Sequence, residues 1–127
     1  MFADPLLLNY DVSNETTFNR IAQSGGQSLY ADVNNTELIK QNLRILHSTG
    51  GRIKGDPNFA VTRHVLTISR DEYVSASLRH EIGVVNLSIA VPNTGTITRS
   101  EFDKLTYNVQ DFLATSALMD KFYRGEL

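Results

Sequence analysis

The sequence predicts an α+β fold with an N-terminal β-hairpin, a five-stranded antiparallel meander and two C-terminal helices. Roughly the first 90 residues alternate between short apolar runs and turn residues, which is typical of strands. The only convincing helical pattern begins near Thr98. At 127 residues the chain has the length of one domain. Within a single domain 1–127 we expect the hairpin at 1–24, the sheet at 27–91 and the helices at 98–125.

Three short strands are predicted at the start of the chain. Leu6–Val12 and Thr16–Ala22 alternate in the strand period, and the turn residues Ser13–Glu15 lie between them. The pair Gly25-Gly26 ends the second strand, because glycine accepts the positive φ of tight turns. Ser28–Val33 then forms the third strand.

The alternation of apolar and polar residues in the centre of the chain predicts the long strands of the sheet. Gln41–Ser48, Phe59–Arg70 and Leu78–Val91 alternate, and Asp71–Ser77 is predicted to be a loop. Alternation places one set of side chains on the face that we expect the helices to cover: His64, Leu66, Ile68, Val85, Leu87 and Ile89. The residues between them, which include Arg63 and Thr67, point to the opposite face. Arg44, on the first long strand, points to that opposite face as well.

The helical segment opens with a capping box. Thr98 is a good N-cap residue, and Glu101 follows it at the required spacing. An apolar stripe at helical spacing comes next: Phe102, Leu105, Val109, Phe112 and Leu113. We expect a break at Thr115-Ser116 and a second short helix over Ala117–Tyr123.

These helices are too small to cover the predicted sheet. A helix of about 17 residues is about 25 Å long, and five strands make a sheet roughly 24 Å wide. One such helix lying along the sheet therefore leaves much of its face uncovered. Leaving apolar area exposed costs about 25 cal/mol per Å², and an edge strand leaves backbone groups unpaired. Two copies paired edge to edge across a two-fold axis would solve both problems.

Positive charge is concentrated in the middle of the chain. Residues 1–39 carry a net charge of −4, residues 40–80 carry +4, and residues 81–127 carry −2. A local basic face can bind phosphate whatever the sign of the whole protein, because fields are screened beyond about 8–10 Å. The same charges would equally suit a solvated sheet face without a ligand.

In this order of elements the chain resembles the coat proteins of the single-stranded RNA bacteriophages, the leviviruses. The resemblance covers essentially the whole length, and locally it is carried by Val61-Thr62-Arg63-His64 through Val74 and by the passage from Leu87 to Leu105. It implies an intertwined dimer with a ten-stranded sheet, covered on one face by helices from both subunits. It also implies a quasi-equivalent icosahedral shell around genomic RNA, located in the virion and assembled in the bacterial cytoplasm.

The resemblance further implies that one dimer binds an RNA hairpin as a translational repressor and packaging signal. Arginine and lysine would contact phosphates, while Ser, Thr and Asn can bond base edges and 2′-hydroxyls. The expected RNA-binding residues are Asn42, Arg44, Arg63, Thr67, Ser69, Asn86 and Ser88, with Lys40, Arg52 and Lys54 at the rim. The stripe from Phe102 to Leu113 would form the dimer core. Asp71, Glu72, Tyr73 and Val74 would form the loop that joins dimers.

Enzymatic chemistry finds little support. His47 and His64 fall on the predicted helix-covered face without an acidic cluster, so we predict hydrogen-bonded histidines and no metal. His80 and Glu81 are adjacent in a strand and point to opposite faces, which argues against a hydrolase. The glycine-rich segment 50–55 lacks a P-loop's context. Cysteine is absent, which excludes thiolate chemistry.

We therefore predict a non-enzymatic coat protein without a cofactor. Its partners would be further copies of itself and single-stranded RNA. No apolar run approaches the roughly 20 residues that cross a membrane, and the first residues lack the basic region of an export signal. The alternative is a cellular dimeric α+β module that binds RNA or a small ligand and forms no shell.

Overall fold

The computed structural model describes residues 2–11, 13–53, 56–75, 78–92 and 97–126, with no description of the side chains at 50–60 and 79–81. Six strands and two helices follow one another within these residues. They are β1 (Leu6–Asn9), β2 (Glu15–Ser24), β3 (Gln27–Asp32), β4 (Ile39–Ile53), β5 (Asp56–Ser75), β6 (Leu78–Pro92), α1 (Arg99–Ala114) and α2 (Ser116–Tyr123).

The six described strands form one antiparallel sheet in the order β1-β2-β3-β4-β5-β6. The predicted N-terminal hairpin is present, and Leu6 pairs with Phe18 in it. The predicted division into a hairpin and a five-stranded sheet is wrong, however, because β2 also pairs with β3 through Phe18 and Asp32. The hairpin is thus the first part of the sheet, and four described strands follow it.

The long strands β4 and β5 pair in a register that confirms the predicted faces. Leu43 lies opposite Ile68, Ile45 opposite Leu66, and His47 opposite His64. Since successive side chains point to opposite faces, these six residues share one face. Both strands extend further than the sequence predicts, at each of their ends.

The core lies on that same face, toward the N-terminal side of the sheet. Phe18, Tyr30 and Leu43 are fully buried, and Ile45 is nearly so. Leu6, Leu8, Leu66 and Ile68 pack around them. The Tyr30 hydroxyl accepts a hydrogen bond from Arg20 Nη2 at 3.1 Å and donates one to the Ala3 carbonyl at 3.3 Å. The buried ring therefore keeps its polar atom paired.

The chain divides into two compact units, residues 1–91 with the sheet and residues 92–127 with the helices. The predicted capping box is present: Thr98 Oγ1 accepts from the Glu101 amide at 3.3 Å, and the Thr98 amide donates to Glu101 Oε2 at 2.7 Å. The predicted break is also confirmed, since Thr115 ends α1 and precedes α2. Neither described helix has the length and apolar content needed to span a bilayer.

Candidate functional surfaces

The face of the sheet opposite the core is polar and carries most of the predicted RNA-binding residues. Asn42 lies opposite Ser69, Arg44 opposite Thr67, and Ser48 opposite Arg63. Thr67 Oγ1 donates to Asn86 Oδ1 at 2.7 Å, which puts β6 in register with this surface. We call it the polar face and define it by Lys40, Asn42, Arg44, Arg63, Thr67, Ser69, Asn86 and Ser88.

The two arginines are the most available groups of the polar face. Arg44 and Arg63 are exposed, and within the described part of the chain neither forms an ion pair. They lie four residues apart in register, because the partner of Arg44 is Thr67. At about 3.4 Å per residue their positions are separated by roughly 14 Å along the strands. Two such cations can contact two different phosphates of one nucleic acid.

Several polar groups on the same face already have partners. Asn42 Oδ1 accepts from Asn35 Nδ2 at 3.4 Å, and the Lys40 ammonium lies 5.4 Å from the centre of the Tyr73 ring. The Thr67–Asn86 bond leaves the Asn86 amide nitrogen available. These contacts fix the positions of the polar groups on the face.

The polar face is not purely basic, because it also contains an acidic residue and two apolar residues. Asp71 lies opposite Lys40, and its Oδ1 is buried without a hydrogen-bond partner. Three cations (Lys40, Arg44 and Arg63) against this one carboxylate leave a net charge of +2. Leu46 and Val65 lie directly opposite each other between the arginines, and together they form a small apolar bed.

Two predicted rim residues fall outside what the structure describes. The side chain of Arg52 is not described, although its backbone belongs to β4. Lys54 lies entirely outside the described residues. Their contribution to RNA binding stays a prediction.

The apolar face becomes progressively more open across the sheet. Tyr30 on β3 is 0% exposed and Ile45 on β4 is 8% exposed, whereas Val85 on β6 is 65% exposed. The outer edge of β6 has no described neighbour, since β6 ends the strand order. This strand is 15 residues long. Within the described part of the chain, the outer edge of β6 and the side chain of Val85 are thus open, while Leu87 and Ile89 are half-buried.

The apolar stripe of α1 is open as well. Leu105 is 57% exposed, and Val109, Phe112 and Leu113 are also exposed, while Phe102 is half-buried. The Phe112 and Phe122 rings meet edge to face at 6.0 Å, which joins the stripe to α2. On the polar side, a hydrogen bond to Asp103 raises the pKa of Arg99, and the bond length is 2.6 Å. α1 thus pairs Arg99 with Asp103 and exposes most of its apolar stripe.

His47 and His64 form a contact on the apolar face, where the alternation of the sequence placed both of them. Their Nδ1 atoms are 2.7 Å apart, and the rings meet at 72° with centres 4.8 Å apart. No group of three metal-ligating side chains is found among the described residues.

The predicted loop from Asp71 to Val74 is wrong. These residues continue β5, which ends at Ser75. Asp71 pairs with Lys40, Glu72 pairs with Ile39, and the Tyr73 amide donates to the Leu38 carbonyl at 2.7 Å. Arg70 also forms an ion pair with Glu72 at 2.9 Å. Cross-strand pairing therefore extends the strand through polar residues that favour a loop by composition.

Sequence reasoning missed the contacts of the N-terminal segment. The Phe2 ring stacks on His47 with centres 6.3 Å apart, and the Arg20 amide donates to Asp4 Oδ1 at 3.0 Å. Arg20 also donates to the Phe2 carbonyl. Arg20 is the one basic residue among residues 1–39, and a lone cation among acids often anchors a neighbouring segment. It was the one sequence feature that could have pointed to these contacts.

No protein-family model and no curated protein matches this sequence. Solved structures do match it over its whole length. The virus-like particle of Beihai levi-like virus 21 is 13% identical with a TM-score of 0.69, and the match covers 100% of this chain and 98% of that one. The virus-like particle of bacteriophage AVE019 is 14% identical with a TM-score of 0.64, covering 98% and 97%.

A third match is the capsid protein of bacteriophage GA. It is 6% identical with a TM-score of 0.60, and the match covers 98% of this chain and 95% of that one. At such low identities the comparison concerns the fold. The predicted resemblance is confirmed at that level: this chain has the fold of levi-like virus and bacteriophage coat proteins.

Proposed function

We propose that this protein is a non-enzymatic coat protein that assembles through dimers into a closed shell around RNA. The observation that carries the proposal is the open apolar surface of the single chain, which includes the α1 stripe and the apolar side of β6. Exposed apolar patches of this kind mark interaction sites. The full-length likeness to subunits of virus-like particles supports a shell as the assembly in question.

The proposed dimer pairs the β6 edges of two copies across a two-fold axis. Edge pairing satisfies the open backbone groups of both strands. The helices of each copy then cover the open apolar face of the other, with the stripe from Phe102 to Leu113 as the dimer core. The expectation of a ten-stranded sheet assumed that each copy contributes five strands. Two six-stranded sheets give twelve when joined in this way.

In the proposed shell the polar face lines the interior and binds single-stranded RNA. Arg44 and Arg63 contact phosphates, while Thr67, Ser69, Asn86 and Ser88 bond base edges or 2′-hydroxyls. The same face on one dimer binds an RNA hairpin as translational repressor and packaging signal. The location is the virion, with assembly in the bacterial cytoplasm.

Contacts between dimers are assigned to the end of β5 in place of a loop. Glu72, Tyr73 and Val74 lie there, and Val74 is exposed. The residues that connect β5 to β6, 76 and 77, lie outside the described part. A strand end fixed by cross-strand pairing presents Val74 in a defined position at the surface.

Expression in bacteria followed by electron microscopy and nuclease treatment tests the proposal. We expect closed particles tens of nanometres across, as in coat-protein shells of this fold, that protect RNA from nuclease. A stable dimer at every concentration and salt would contradict the shell. It would favour the cellular binding module instead. Particles without protected RNA would contradict the role of the polar face.

A further inference from the structure

The His47–His64 contact is a proton-sensitive element on the apolar face. The two residues lie directly opposite each other on β4 and β5, and their Nδ1 atoms are 2.7 Å apart. A nitrogen–nitrogen hydrogen bond of this length needs one N–H donor and one lone-pair acceptor. The two facing nitrogens therefore hold a single proton between them.

The proton count of the pair follows from this geometry. In the neutral pair, one ring carries its proton on Nδ1 and the other on Nε2. One added proton goes to the free Nε2 of the donor ring, which keeps the contact and strengthens it through charge. A second added proton must go to the acceptor Nδ1. Two N–H groups then face each other, and two positive charges repel across the same short distance.

The backbone and the N-terminal segment hold the pair in place. The His47 amide donates to the Gly26 carbonyl at 2.8 Å. A Cβ at Gly26 would clash with the His47 carbonyl oxygen, so this close approach requires glycine. The Phe2 ring stacks on the other side of His47. The main chain of His47 is therefore fixed in place, while its imidazole is exposed and contacts only the Phe2 and His64 rings among the described aromatic contacts.

The side chains described around the pair are uncharged on every neighbouring element of the sheet unit. β2 and β3 contribute Gln23, Gln27 and Ser28, and the N-terminal segment contributes Phe2. β6 contributes Leu87 and Ile89 to an apolar cleft of about 170 Å³ that the two imidazoles also line. No carboxylate among these residues compensates a doubly charged pair.

The cleft opens on the face that a second copy covers in the proposed dimer, and the inference rests on that proposed function. Covering a doubly charged pair with an apolar helix stripe costs free energy, because charge is removed from water without a partner. The titratable and charged groups that a second copy could bring are those of its helices: Arg99, Glu101, Asp103, Lys104, Tyr107, Asp111, Asp120, Lys121 and Tyr123. They lie on the same helices as the apolar stripe.

We propose that the His47–His64 pair makes the association of two copies sensitive to acid. The contact is present when the pair is neutral or carries one added proton, and it is lost when both rings are charged. Histidine is the side chain whose charge changes between pH 5 and 8. Association therefore weakens on acidification, because a second proton on the pair replaces the contact by repulsion between two charged rings.

The test is the pH at which assembled particles dissociate, measured by light scattering. The variants are His47→Gln, His64→Gln and the double variant, since a glutamine amide can both donate and accept. The third histidine supplies the matched control, His80→Gln. We expect each single variant to shift the midpoint toward acid, because the glutamine amide accepts from the remaining charged imidazole and removes the repulsion. The double variant should shift by less than the sum of the two single shifts, because either glutamine alone already removes that repulsion.

Several outcomes would overturn the proposal. They are an unchanged midpoint, a shift equal to that of His80→Gln, additive shifts in the double variant, or a shift toward higher pH. The last would mean that a carboxylate of the second copy faces the pair. Nitrogen-15 spectra of the His47 and His64 imidazoles in the wild-type protein provide a second readout. Two separate proton-uptake steps are expected, and coincident steps would refute the shared proton. If the wild type forms no assembly at neutral pH, the proposed function fails, while the spectra still test the pair.

Discussion

The two sides of the sheet differ in how completely one chain covers them. On the side of β2 to β4, Phe18, Tyr30 and Leu43 are fully buried. On the side of β6, Val85 is exposed, and in the second unit Leu105 on α1 is exposed as well. All of these side chains are apolar, so the regions differ in how far the chain buries them. The first region is a finished core, and the exposed apolar side chains are the ones that the proposed dimer would bury.

A charge in the α1 stripe should have the largest effect. Leu105→Glu places a carboxylate where a second copy would bury it, and an unpaired buried charge is strongly unfavourable. We expect loss of particles and dimers with helix content unchanged by circular dichroism. The matched control is Tyr107→Glu on the opposite side of α1, which should still assemble. Equal behaviour of the two variants would remove the distinction between the sides of the helix.

Truncation of the finished core should affect folding whatever the protein concentration. Leu43→Ala removes a fully buried side chain, and we expect a loss of about 2–5 kcal/mol in the free energy of unfolding. The same change at Leu105 should lower stability only at concentrations where the protein associates. Urea unfolding at two concentrations separates these effects. A concentration-independent loss of the same size at Leu105 would show that one chain already buries the stripe.

Loss of a polar-face arginine should have an intermediate effect confined to RNA. Arg44→Ala or Arg63→Ala should weaken binding of an RNA hairpin and reduce the slope of log affinity against log salt by about one. Arg70→Ala is a control of equal charge, because Arg70 lies on the other face and pairs with Glu72. Unchanged binding in both polar-face variants would mean that RNA uses another surface.

The smallest effect is expected at the exposed β1–β2 turn. Hydrogen bonds from the Asn14 side chain and the Ser13 amide lower the pKa of Asp11. Because its pKa is lowered, the ionised Asp11 carboxylate stabilises the fold above the ordinary carboxyl pKa. This stabilisation is lost as the pH falls below about 4. Asp11→Ala should therefore unfold slightly earlier than wild type at neutral pH, and the two should converge in acid. A constant difference in urea midpoints across this range would contradict the assignment.

Local patterns predicted much of this fold. Alternation in β4 and β5 assigned Leu66 and Thr67 to the correct faces, and the spacing of Thr98 and Glu101 located the start of α1. These features depend on neighbours in sequence. The RNA-contact residues were placed on one surface by the same alternation, although their role stays a proposal.

Features set by distant residues could not be predicted in this way. β5 continues through Asp71 to Ser75 because Lys40 and Leu38 pair with it, although its polar residues favour a loop. The hairpin joins the sheet through a register between β2 and β3 that composition does not specify. Phe2 stacks on His47 from a segment without any periodic pattern.

Residue-resolved hydrogen exchange on the assembled protein tests the central claim most directly. In one chain the inner edge of β6 pairs with β5 and the outer edge has no described neighbour. If a second copy completes that edge, every amide of β6 should exchange slowly in the assembly, as expected of the β4 segment Asn42–Leu46 that lies between β3 and β5. Rapid exchange at every second amide of β6 would show an open edge and would contradict the account.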